Sequence, residues 1–514
     1  MGYDAIIIGA GHNGLTCAAS LGRAGHKVLV LERRDRIGGL AAGEEFHPGY
    51  RTTGLLHDTT GVRASVVEML ELERHGLKLL REPAPIFAPQ RSGPGLLLHR
   101  DGEAARAEIA AHSAQDADRY AAWRGFLSSL DPVTSRLLNS NPPDMDGGQL
   151  GDLIKLAGTG LALRRLGPAA MMDVLRVAPM CAADWMAEWF ETDLLRALLA
   201  APSMMAAWMG PWSAGSNTNL LMHEAAALPG VQGGPAALIE ALAASARAHG
   251  VEIRTSAAVA RVRQAGKVVV GVTLEKGEEI EADAVAASCD PRHALLDLVD
   301  PRRLAPQHQD EIRVWRGRGT TAKVHLALDG PLEFSCRPGA RFEHIRVCER
   351  IDDMERAYDA VKYGEIPRRP HLDIRVPTLS DPALAPQGHH VASILVHQVP
   401  FHLKGGWTPA QREALGAAVL ETLAEVAPSA AARLVAMEVL SPADLTARYG
   451  LVEGHVHHGE HALDQLLFMR PGPSFSHYST PIDGLYLCGS GSHPGGGITC
   501  APGALAAAAI LKAL

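Results

Sequence analysis

The sequence contains few cysteines, and no two of them form a closely spaced pair. The seven are scattered along the chain as Cys17, Cys181, Cys289, Cys336, Cys348, Cys488 and Cys500. Because there is no C-x-x-C or C-x-x-x-x-C motif, the sequence excludes a redox disulphide that relays electrons within the chain. An odd number of irregularly spaced cysteines is typical of a reducing compartment, and we expect the protein to be cytoplasmic.

Long apolar runs and basic tracts are also missing. There is no run of about 18 or more apolar residues, so the sequence predicts no transmembrane segment, although peripheral contact with a membrane stays open. The first residues carry no basic segment ahead of their apolar run, and we expect no signal peptide. The formal net charge is −8, with Lys and Arg spread along the chain, which argues against nucleic acid as a partner.

The N-terminal residues combine a strand, a glycine turn and a helix. The apolar run Ile6–Ile8 leads into G-x-G-x-x-G, formed by Gly9, Gly11 and Gly14. The first glycine permits a tight turn, the second lets a pyrophosphate approach the backbone, and the third lets the helix pack close to the strand. A second apolar run ends at Glu32, where a carboxylate can accept hydrogen bonds from a ribose. This unit predicts a Rossmann-type dinucleotide-binding domain of the α/β class.

The residues after Glu32 distinguish between NAD and FAD. The chain continues through Arg33 and Arg34 to a second glycine pair, Gly38–Gly39, followed by Leu40. NAD-binding units have no need of this element. FAD is longer, and a glycine pair with arginines nearby can hold its phosphates and the start of the flavin chain. We therefore expect FAD.

Two segments resemble a known group of flavoproteins. Residues 32–39 resemble the E-x-R-x-x-x-G-G segment of the amine-oxidase and phytoene-desaturase superfamily. Residues 485–498 resemble the L-Y-L-x-G-x-G-x-H-P-G-x-G-I ending of phytoene dehydrogenase-like proteins. Further matches at Gly233–Gly234 and around Val259 point to the branch of pyridine nucleotide-disulphide oxidoreductase domain-containing protein 2.

The resemblance implies FAD as the cofactor and suggests which residues touch it. The backbone at Val259 is expected to touch adenine, and the C-terminal glycine loop to face the ribityl chain and the flavin. Ser490 stands where many members of this superfamily carry an acidic residue, so a backbone or hydroxyl contact is expected there. Together, the motif and the resemblance assign FAD binding to Gly9, Gly11, His12, Asn13, Gly14, Glu32, Arg33, Arg34, Gly38, Gly39, Leu40, Val259, Gly489, Ser490, Gly497 and Ile498.

Positions of the nucleotide-binding elements predict two interleaved domains. The Rossmann-type FAD-binding domain takes residues 1–85, 228–298 and 472–514, and an α+β substrate domain with a helical cap takes 86–227 and 299–471. The stretch 104–227 is predicted to be mainly helical, with breaks at Asp131–Pro132, Asn141–Pro143 and Gly167–Pro168. The second insertion is predicted to contain strands and a helix at about 408–426.

His493 and His57 are the predicted catalytic residues. His493 lies in the glycine loop that faces the flavin, where it can shape the pocket or donate to a substrate carbonyl or to the flavin. The alternative is a loop histidine bonded to nearby backbone. His57, with Asp58, falls where the chain passes the edge of the flavin in this superfamily. A base is needed only if a C–H proton leaves together with the hydride, because the flavin carries the redox chemistry.

Two further clusters have plainer alternatives. His457 and His461, four residues apart with Glu460, look like metal ligands. Because the surrounding pattern recurs in metal-free relatives, we expect no metal and assign these residues to a structural loop or an active-site wall. The Met- and Trp-rich stretch 171–212 is expected to pack helices, with some Met side chains facing an apolar cavity.

The sequence therefore predicts an FAD-dependent oxidoreductase, with desaturation of a largely apolar small molecule by hydride transfer to flavin N5 as the favoured reaction. Only one dinucleotide fingerprint exists, so we expect oxygen, a quinone or another acceptor, and not NADH or NADPH, to react with the flavin. The alternatives are a C–N or alcohol oxidase of a secondary metabolite and a redox-neutral isomerase on reduced flavin. A non-catalytic lipid-binding escort, like the Rab-escort and GDP-dissociation-inhibitor proteins of the same fold, is a further alternative.

Overall fold

The computed structural model describes residues 2–100, 102–142, 150–225 and 228–514. The strands in chain order are β1 (Tyr3–Ile8), β2 (Val28–Leu31), β3 (Glu44–His47), β4 (Tyr50–Thr52), β5 (Ile86–Ala88), β6 (Leu96–Leu98), β7 (Glu252–Arg254), β8 (Val259–Ala265), β9 (Val268–Leu274), β10 (Glu279–Ala287), β11 (Thr321–Leu328), β12 (His344–Val347), β13 (His371–Arg375), β14 (His390–His397), β15 (Leu434–Leu440) and β16 (Leu485–Leu487). The helices are α1 (His12–Arg23), α2 (Ala64–Met69), α3 (Gly102–Ala110), α4 (Ala114–Leu138), α5 (Leu150–Arg165), α6 (Pro168–Val177), α7 (Ala182–Trp189), α8 (Asp193–Ala200), α9 (Ser216–Glu224), α10 (Gly234–Ala248), α11 (Pro306–Arg313), α12 (Ile351–Lys362), α13 (Pro409–Ala424), α14 (Pro442–Tyr449) and α15 (Ala501–Ile510).

The first sheet is built around β1. Its strand order is β7-β2-β1-β10-β9-β8, with β16 paired to β10. β1 pairs in parallel with β2 and β10, and β10 pairs in parallel with β16. Side chains of β1 alternate between two apolar cores, with Ile7 in one and Ile6 and Ile8 in the other. A parallel sheet covered on both faces needs such continuous apolar strands, and β1 and β2 supply them.

The second sheet is mostly antiparallel. Its strands come from two segments of the chain that are inserted between strands of the first sheet. Its order is β15-β11-β14-β13-β12-β5-β6. Every residue of β11 is buried, and Val324 and Leu326 share a core with Leu415, Val419 and Leu423 of α13. One face of the sheet is therefore covered by α13, which leaves the opposite face to form other contacts.

A layer of helices forms the cap. Residues from α3, α4, α7, α8 and α9 share an apolar core with β6, at one edge of the second sheet, and with its neighbour β5. Its largest side chains are Trp123, Trp185 and Phe190, with Trp123 and Trp185 ring centroids 5.9 Å apart. This core explains most of the aromatic side chains that the sequence concentrates in the cap.

The predicted α/β class, with a Rossmann-type sheet, a mixed sheet and a helical cap, is confirmed. The predicted helix at about 408–426 is α13, and the predicted break at Gly167–Pro168 separates α5 from α6. Strands of the first sheet come from residues 3–31, 252–287 and 485–487. The division into two domains stays a prediction. Within the described ranges, no helix has both the length and the apolar character needed to cross a membrane.

The predicted break at Asp131–Pro132 is wrong. Helix α4 runs without interruption through Pro132, with Leu130 and Val133 buried on either side of it. Packing of this apolar face outweighs the hydrogen bond that proline removes, a loss of about 3 kcal/mol in a helix interior. The break at Asn141–Pro143 includes Pro143, which lies outside the described residues.

Gly14 is predicted to be essential for the close packing of α1 on the first turn. A Cβ atom at Gly14 would lie 2.0 Å from the Gly9 carbonyl oxygen, so alanine must displace the backbone. We expect Gly14→Ala to lower the free energy of unfolding by about 1–3 kcal/mol or more, measured by urea denaturation. Gly125→Ala in α4 is the matched control, since a Cβ there meets nothing within 4 Å and should be neutral or stabilising. Equal stability of the two variants would contradict the packing argument.

Candidate active site

A cleft at the carboxyl ends of β1 and β2 forms the nucleotide site. The chain leaves β1 at Gly9, whose φ of +98° requires glycine, and turns into the N-terminus of α1. A Cβ at Gly11 would meet nothing within 4 Å, so this backbone borders open space. The cleft encloses about 250 Å³. Its position next to a helix N-terminus suits an anionic phosphate.

Glu32 is fixed at the far side of this cleft. Its side chain is 7 % exposed and accepts hydrogen bonds from the backbone N–H of Ala10 and of Arg34, each at 2.9 Å. These bonds use one lone pair on each carboxylate oxygen and leave others for ligand hydroxyl groups. The carboxylate is therefore held in one orientation at the cleft, where the sequence predicts that it binds the ribose.

Two buried polar atoms of the cleft have no hydrogen-bond partner among the described residues. Asn13 Nδ2 donates to Ser490 Oγ at 3.1 Å, which joins the first turn to the C-terminal loop. Asn13 Oδ1 and His12 Nε2 are buried without a partner among the described residues. Burial lowers the pKa of His12 to about 4, so its ring is neutral at physiological pH. Buried polar groups of this kind fit a polar cofactor that supplies the missing hydrogen bonds.

The predicted cofactor residues divide into three groups. The walls of the nucleotide cleft include Gly9, Gly11, His12, Asn13, Glu32, Arg33, Arg34, Gly39, Leu40, Val259 and Ser490. Behind the walls lie Gly14, Gly38 and Gly489, where close backbone contacts leave little or no room for a side chain. Gly497 and Ile498 border a separate cavity, on the side of the second sheet and the cap. Tyr449, Gly450 and Leu451 also line the cleft, and no sequence motif pointed to them.

Two adjoining cavities lie between the C-terminal glycine loop, the second sheet and the cap. The inner cavity, of about 120 Å³, is bordered by residues 496–499 and by Leu56, Met205 and Leu395. The outer cavity, of about 170 Å³, extends toward the cap at Tyr120 and Trp123. Their shared walls contain His57, Asp58, Thr60, Pro202, His223, His344, Arg346 and Arg375.

A buried charged network forms the wall that the second sheet contributes. Asp373 on β13 accepts hydrogen bonds from His57 Nε2 at 3.0 Å, His344 Nε2 at 3.1 Å and Arg346 Nε at 2.8 Å. Although burial disfavours the charged form, His344 and Arg346 hold the pKa of Asp373 well below its usual range. Asp373 is therefore a carboxylate whose acceptor sites are occupied by three neighbours.

His57 lies in the cavity wall, as its predicted catalytic role requires, but both of its ring nitrogens are engaged. Nε2 donates to Asp373, and Nδ1 lies 3.4 Å from Nζ of Lys323, which donates to it. Burial and then the charge of Lys323 lower the pKa of His57 to about 3. Its ring is thus neutral, and neither nitrogen is directed at an open cavity.

His493, the other predicted catalytic residue, contacts the cap. Its Nε2 donates to the Leu137 carbonyl at the end of α4 at 2.8 Å, and its own carbonyl accepts from Tyr478 Oη at 2.9 Å. Burial lowers its pKa to about 4. The inner cavity is bordered by its neighbour Pro494, whereas His493 borders neither cavity. These contacts agree with the alternative of a loop histidine that is hydrogen-bonded to backbone. The catalytic role of His493 stays a prediction.

The histidine-rich loop forms a wall of the inner cavity. His457 and His461 border it, with ring centroids 5.0 Å apart, and His461 Nε2 accepts from the Gly496 N–H at 3.0 Å. Glu460 is paired instead with Arg318 Nε at 2.7 Å. Across the described part of the chain, no group of three or more His, Cys, Asp or Glu side chains is placed to hold a metal ion.

Several cavity residues were missed by the sequence reasoning. His344, Arg346, Asp373 and Arg375 all come from strands of the second sheet. The signal that could have found them was the alternation of polar and apolar residues in H-I-R-V (β12) and H-L-D-I-R (β13). Such alternation normally indicates a solvent-facing side, whereas here the polar side faces the cavities.

The Met- and Trp-rich stretch of the cap contributes little to the cavity walls. Trp185, Met186 and Met204 are buried in the cap cores, as packing residues should be. Met205 borders the inner cavity, together with Met222, which the sequence did not single out.

Comparison with known proteins decides the family. A match to the family of flavin containing amine oxidoreductases extends over residues 14–510. The chain belongs to this family. It is an FAD-dependent oxidoreductase, as the sequence predicted, and the unpartnered polar atoms of the cleft fit this polar cofactor.

Relatives of this flavin-dependent oxidoreductase cover its full length. Pyridine nucleotide-disulfide oxidoreductase domain-containing protein 2 of Rattus norvegicus is 33 % identical over 548 residues, covering 100 % of this chain and 94 % of the relative. One of the subunits of limonene dehydrogenase from Castellaniella defragrans is 29 % identical over 555 residues, covering 99 % and 94 %. The solved structure of cyclohexylamine oxidase from Brevibacterium oxydans has a TM-score of 0.58 at 16 % identity, covering 100 % and 99 %, and shows the shared fold.

Glu32 is predicted to hold the cofactor. Removing a hydrogen bond to a charged group costs about 1.5–3 kcal/mol, so Glu32→Ala should weaken FAD binding about tenfold or more. FAD affinity is measured by titrating flavin-free protein and following flavin fluorescence. Glu32→Gln keeps the side-chain volume and should show an intermediate loss. Glu252→Ala, on neighbouring β7 outside the cleft, is the control, and equal affinity in Glu32→Ala and Glu252→Ala would contradict the assignment.

Lys323 is predicted to make stability depend on pH. Burial lowers its pKa from 10.5 to about 7, so between these values the unfolded chain binds more protons than the folded protein. Stability contributed by this site therefore rises with pH across that window. We expect Lys323→Met to stabilise the protein most at pH values below about 7, with an advantage that shrinks as the pH rises toward 10.5. Urea denaturation across this range checks it, with exposed Lys404→Met as control, and a pH-independent difference for Lys323→Met would contradict it.

Proposed function

We propose that this oxidoreductase dehydrogenates a small molecule with a largely apolar body, and that C–C desaturation is its reaction. The observation that carries the proposal is the inner cavity, which borders both the glycine loop at 496–499 and the charged wall at His57. FAD, when bound, supplies the hydride acceptor at flavin N5. Leu56, Met205 and Leu395 offer an apolar surface for the substrate.

The charges of the cavity favour desaturation over oxidation of an amine. A carboxylate free of other partners could bind a protonated amine, yet Asp373 is hydrogen-bonded to two histidines and an arginine. Asp58 accepts from the backbone N–H and the hydroxyl of Thr60, at 2.9 and 2.8 Å, and lies 3.8 Å from His223. The nearby guanidinium of Arg375 would repel an ammonium group. The relative named as a subunit of limonene dehydrogenase supports a dehydrogenation in this proposal.

The two predicted catalytic histidines are proposed as positioning residues. His57 holds Asp373 and Lys323 in one network, and its engaged nitrogens make it a poor general base. The hydrogen bond from His493 to the end of α4 connects the glycine loop to the cap. In this proposal the chain orients the substrate, the hydride goes to FAD, and the proton released with it passes to solvent water, since no side chain is assigned as a base.

The electron acceptor and compartment remain as proposed from the sequence. Oxygen, a quinone or another acceptor would reoxidise the flavin, because the chain shows a single dinucleotide fingerprint at Gly9–Gly14. All seven cysteines are free thiols, which supports the cytoplasm as a reducing location.

Anaerobic titration of the FAD-loaded protein tests the reaction class. The probes are a saturated or partly saturated terpenoid, a primary amine and an alcohol of similar carbon skeleton, and the signal is the loss of oxidised-flavin absorbance. We expect stoichiometric bleaching by the terpenoid alone. Bleaching by the amine or the alcohol would assign an oxidase instead. Conversion of the terpenoid on pre-reduced flavin, with no net reoxidation of the flavin, would assign an isomerase.

A further inference from the structure

Arg375 is a cation of the cavity wall that forms no direct ion pair with any carboxylate of the described residues. It is the last residue of β13, beside His344 of β12 and Ser393 of β14, and it borders both the inner and the outer cavity. Its Nε is buried and makes no hydrogen bond among the described residues. Within those residues, no carboxylate oxygen approaches its guanidinium to 4.0 Å.

The carboxylates near Arg375 form their hydrogen bonds or ion pairs with other residues. Asp373 is paired with Arg346 at 2.8 Å, so Arg346 is satisfied while Arg375 is not. Asp58 is held by Thr60, and His223 lies 3.8 Å from it. The outer cavity also contains Glu343 and Asp381, but neither forms an ion pair with Arg375 in the described structure. Although burial raises the pKa of Asp58, His223 and then Arg375 lower it, so Arg375 acts on this carboxylate at longer range but forms no direct ion pair among the described residues.

The charge of Arg375 acts on its surroundings. It contributes to lowering the pKa of His344 and of His57, after the larger effect of burial, because a positive neighbour opposes their protonation. A guanidinium with a buried, unbonded N–H is costly unless a ligand completes its hydrogen bonds. Its planar fork of donors matches the two oxygens of a carboxylate or phosphate.

We propose that the substrate carries an oxyanion group, a carboxylate or a phosphate, which Arg375 binds, and that its apolar body extends into the inner cavity. This deepens the proposed function and rests on it, since it adds an anionic group at one end of the largely apolar body proposed above. Arg375 then sets specificity: it holds one end of the substrate and fixes which carbon atoms lie against residues 496–499. It takes no part in bond breaking.

Binding of matched acids and amides to the FAD-loaded protein tests this proposal. The probes are benzoate against benzamide, hexanoate against hexanamide, and phenyl phosphate, followed by difference spectra of the bound flavin. In the wild type we expect a saturable change with the acids and binding about tenfold weaker or more for the amides, which lack the charge. Tighter binding of phenyl phosphate would assign a phosphate, and tighter binding of benzoate a carboxylate, and either result supports the proposal.

Variants at Arg375 separate its role from general effects on the fold. Arg375→Gln should weaken acid binding about tenfold or more and leave amide binding and FAD content unchanged. Arg375→Lys should retain part of the acid affinity, because it keeps the charge but loses the fork. Exposed Arg302→Gln, which pairs only with Asp300 at 2.9 Å, is the control.

Four results would overturn the proposal. In the wild type, these are equal binding of acids and amides, and no binding of any probe. In Arg375→Gln, they are unchanged acid affinity, and loss of FAD, which would place the cofactor on the arginine. Because binding needs no turnover, these outcomes are distinct from a failure of the desaturation assay.

Discussion

The guanidinium of Arg470 holds together the loops on which both sites depend. The side chain is 0 % exposed, and its donors reach carbonyl oxygens in three stretches of chain. Nη1 donates to Glu460 and Gln465 at 3.1 and 3.3 Å, and Nη2 to His457, Gly459 and Ser490 at 3.1, 3.2 and 2.8 Å. A buried charge is tolerated only with such partners, so the loops cannot separate without exposing it.

This arrangement explains why the cofactor cleft and the substrate cavities adjoin. Ser490 borders the nucleotide cleft and bonds Asn13 of the first turn, whereas His457 borders the inner cavity. Arg470 donates to the backbone of both residues. Burial lowers the pKa of Arg470 to about 9, opposed by the charge of Asp290, so it stays charged at physiological pH. One side chain therefore keeps the glycine loop in register with the wall that faces the substrate.

Much of the nucleotide site could be predicted from the sequence because its contacts are local and made by backbone. Gly9 needs a positive φ and Gly14 a close approach, and only glycine meets either requirement. Glu32 follows at a fixed distance because a parallel strand, a helix and a second strand must intervene. The substrate wall was not predictable in the same way. Arg375 and Asp373 become cavity residues only through the pairing of β13 with β12 and β14, which no local pattern encodes.

The catalytic predictions show the same limit. His493 was chosen for its place in a glycine loop, yet its ring direction is set by Leu137, a residue of the distant cap. His57 was placed correctly beside the cavity, but the network that engages both its nitrogens comes from strands over 250 positions away along the chain. Position along the chain indicated that His57 lies near a cavity, while the partners of both histidines depend on long-range packing.

The central claim is that the flavin lies between the glycine loop and the inner cavity, where the substrate reaches it. An experimental structure of the FAD-loaded protein tests this most directly. We expect the adenosine against Glu32 and Val259, and the isoalloxazine ring beside residues 496–499, with one face toward His57 and Arg375. A ring placed elsewhere, with the inner cavity separated from it by protein, would contradict the account.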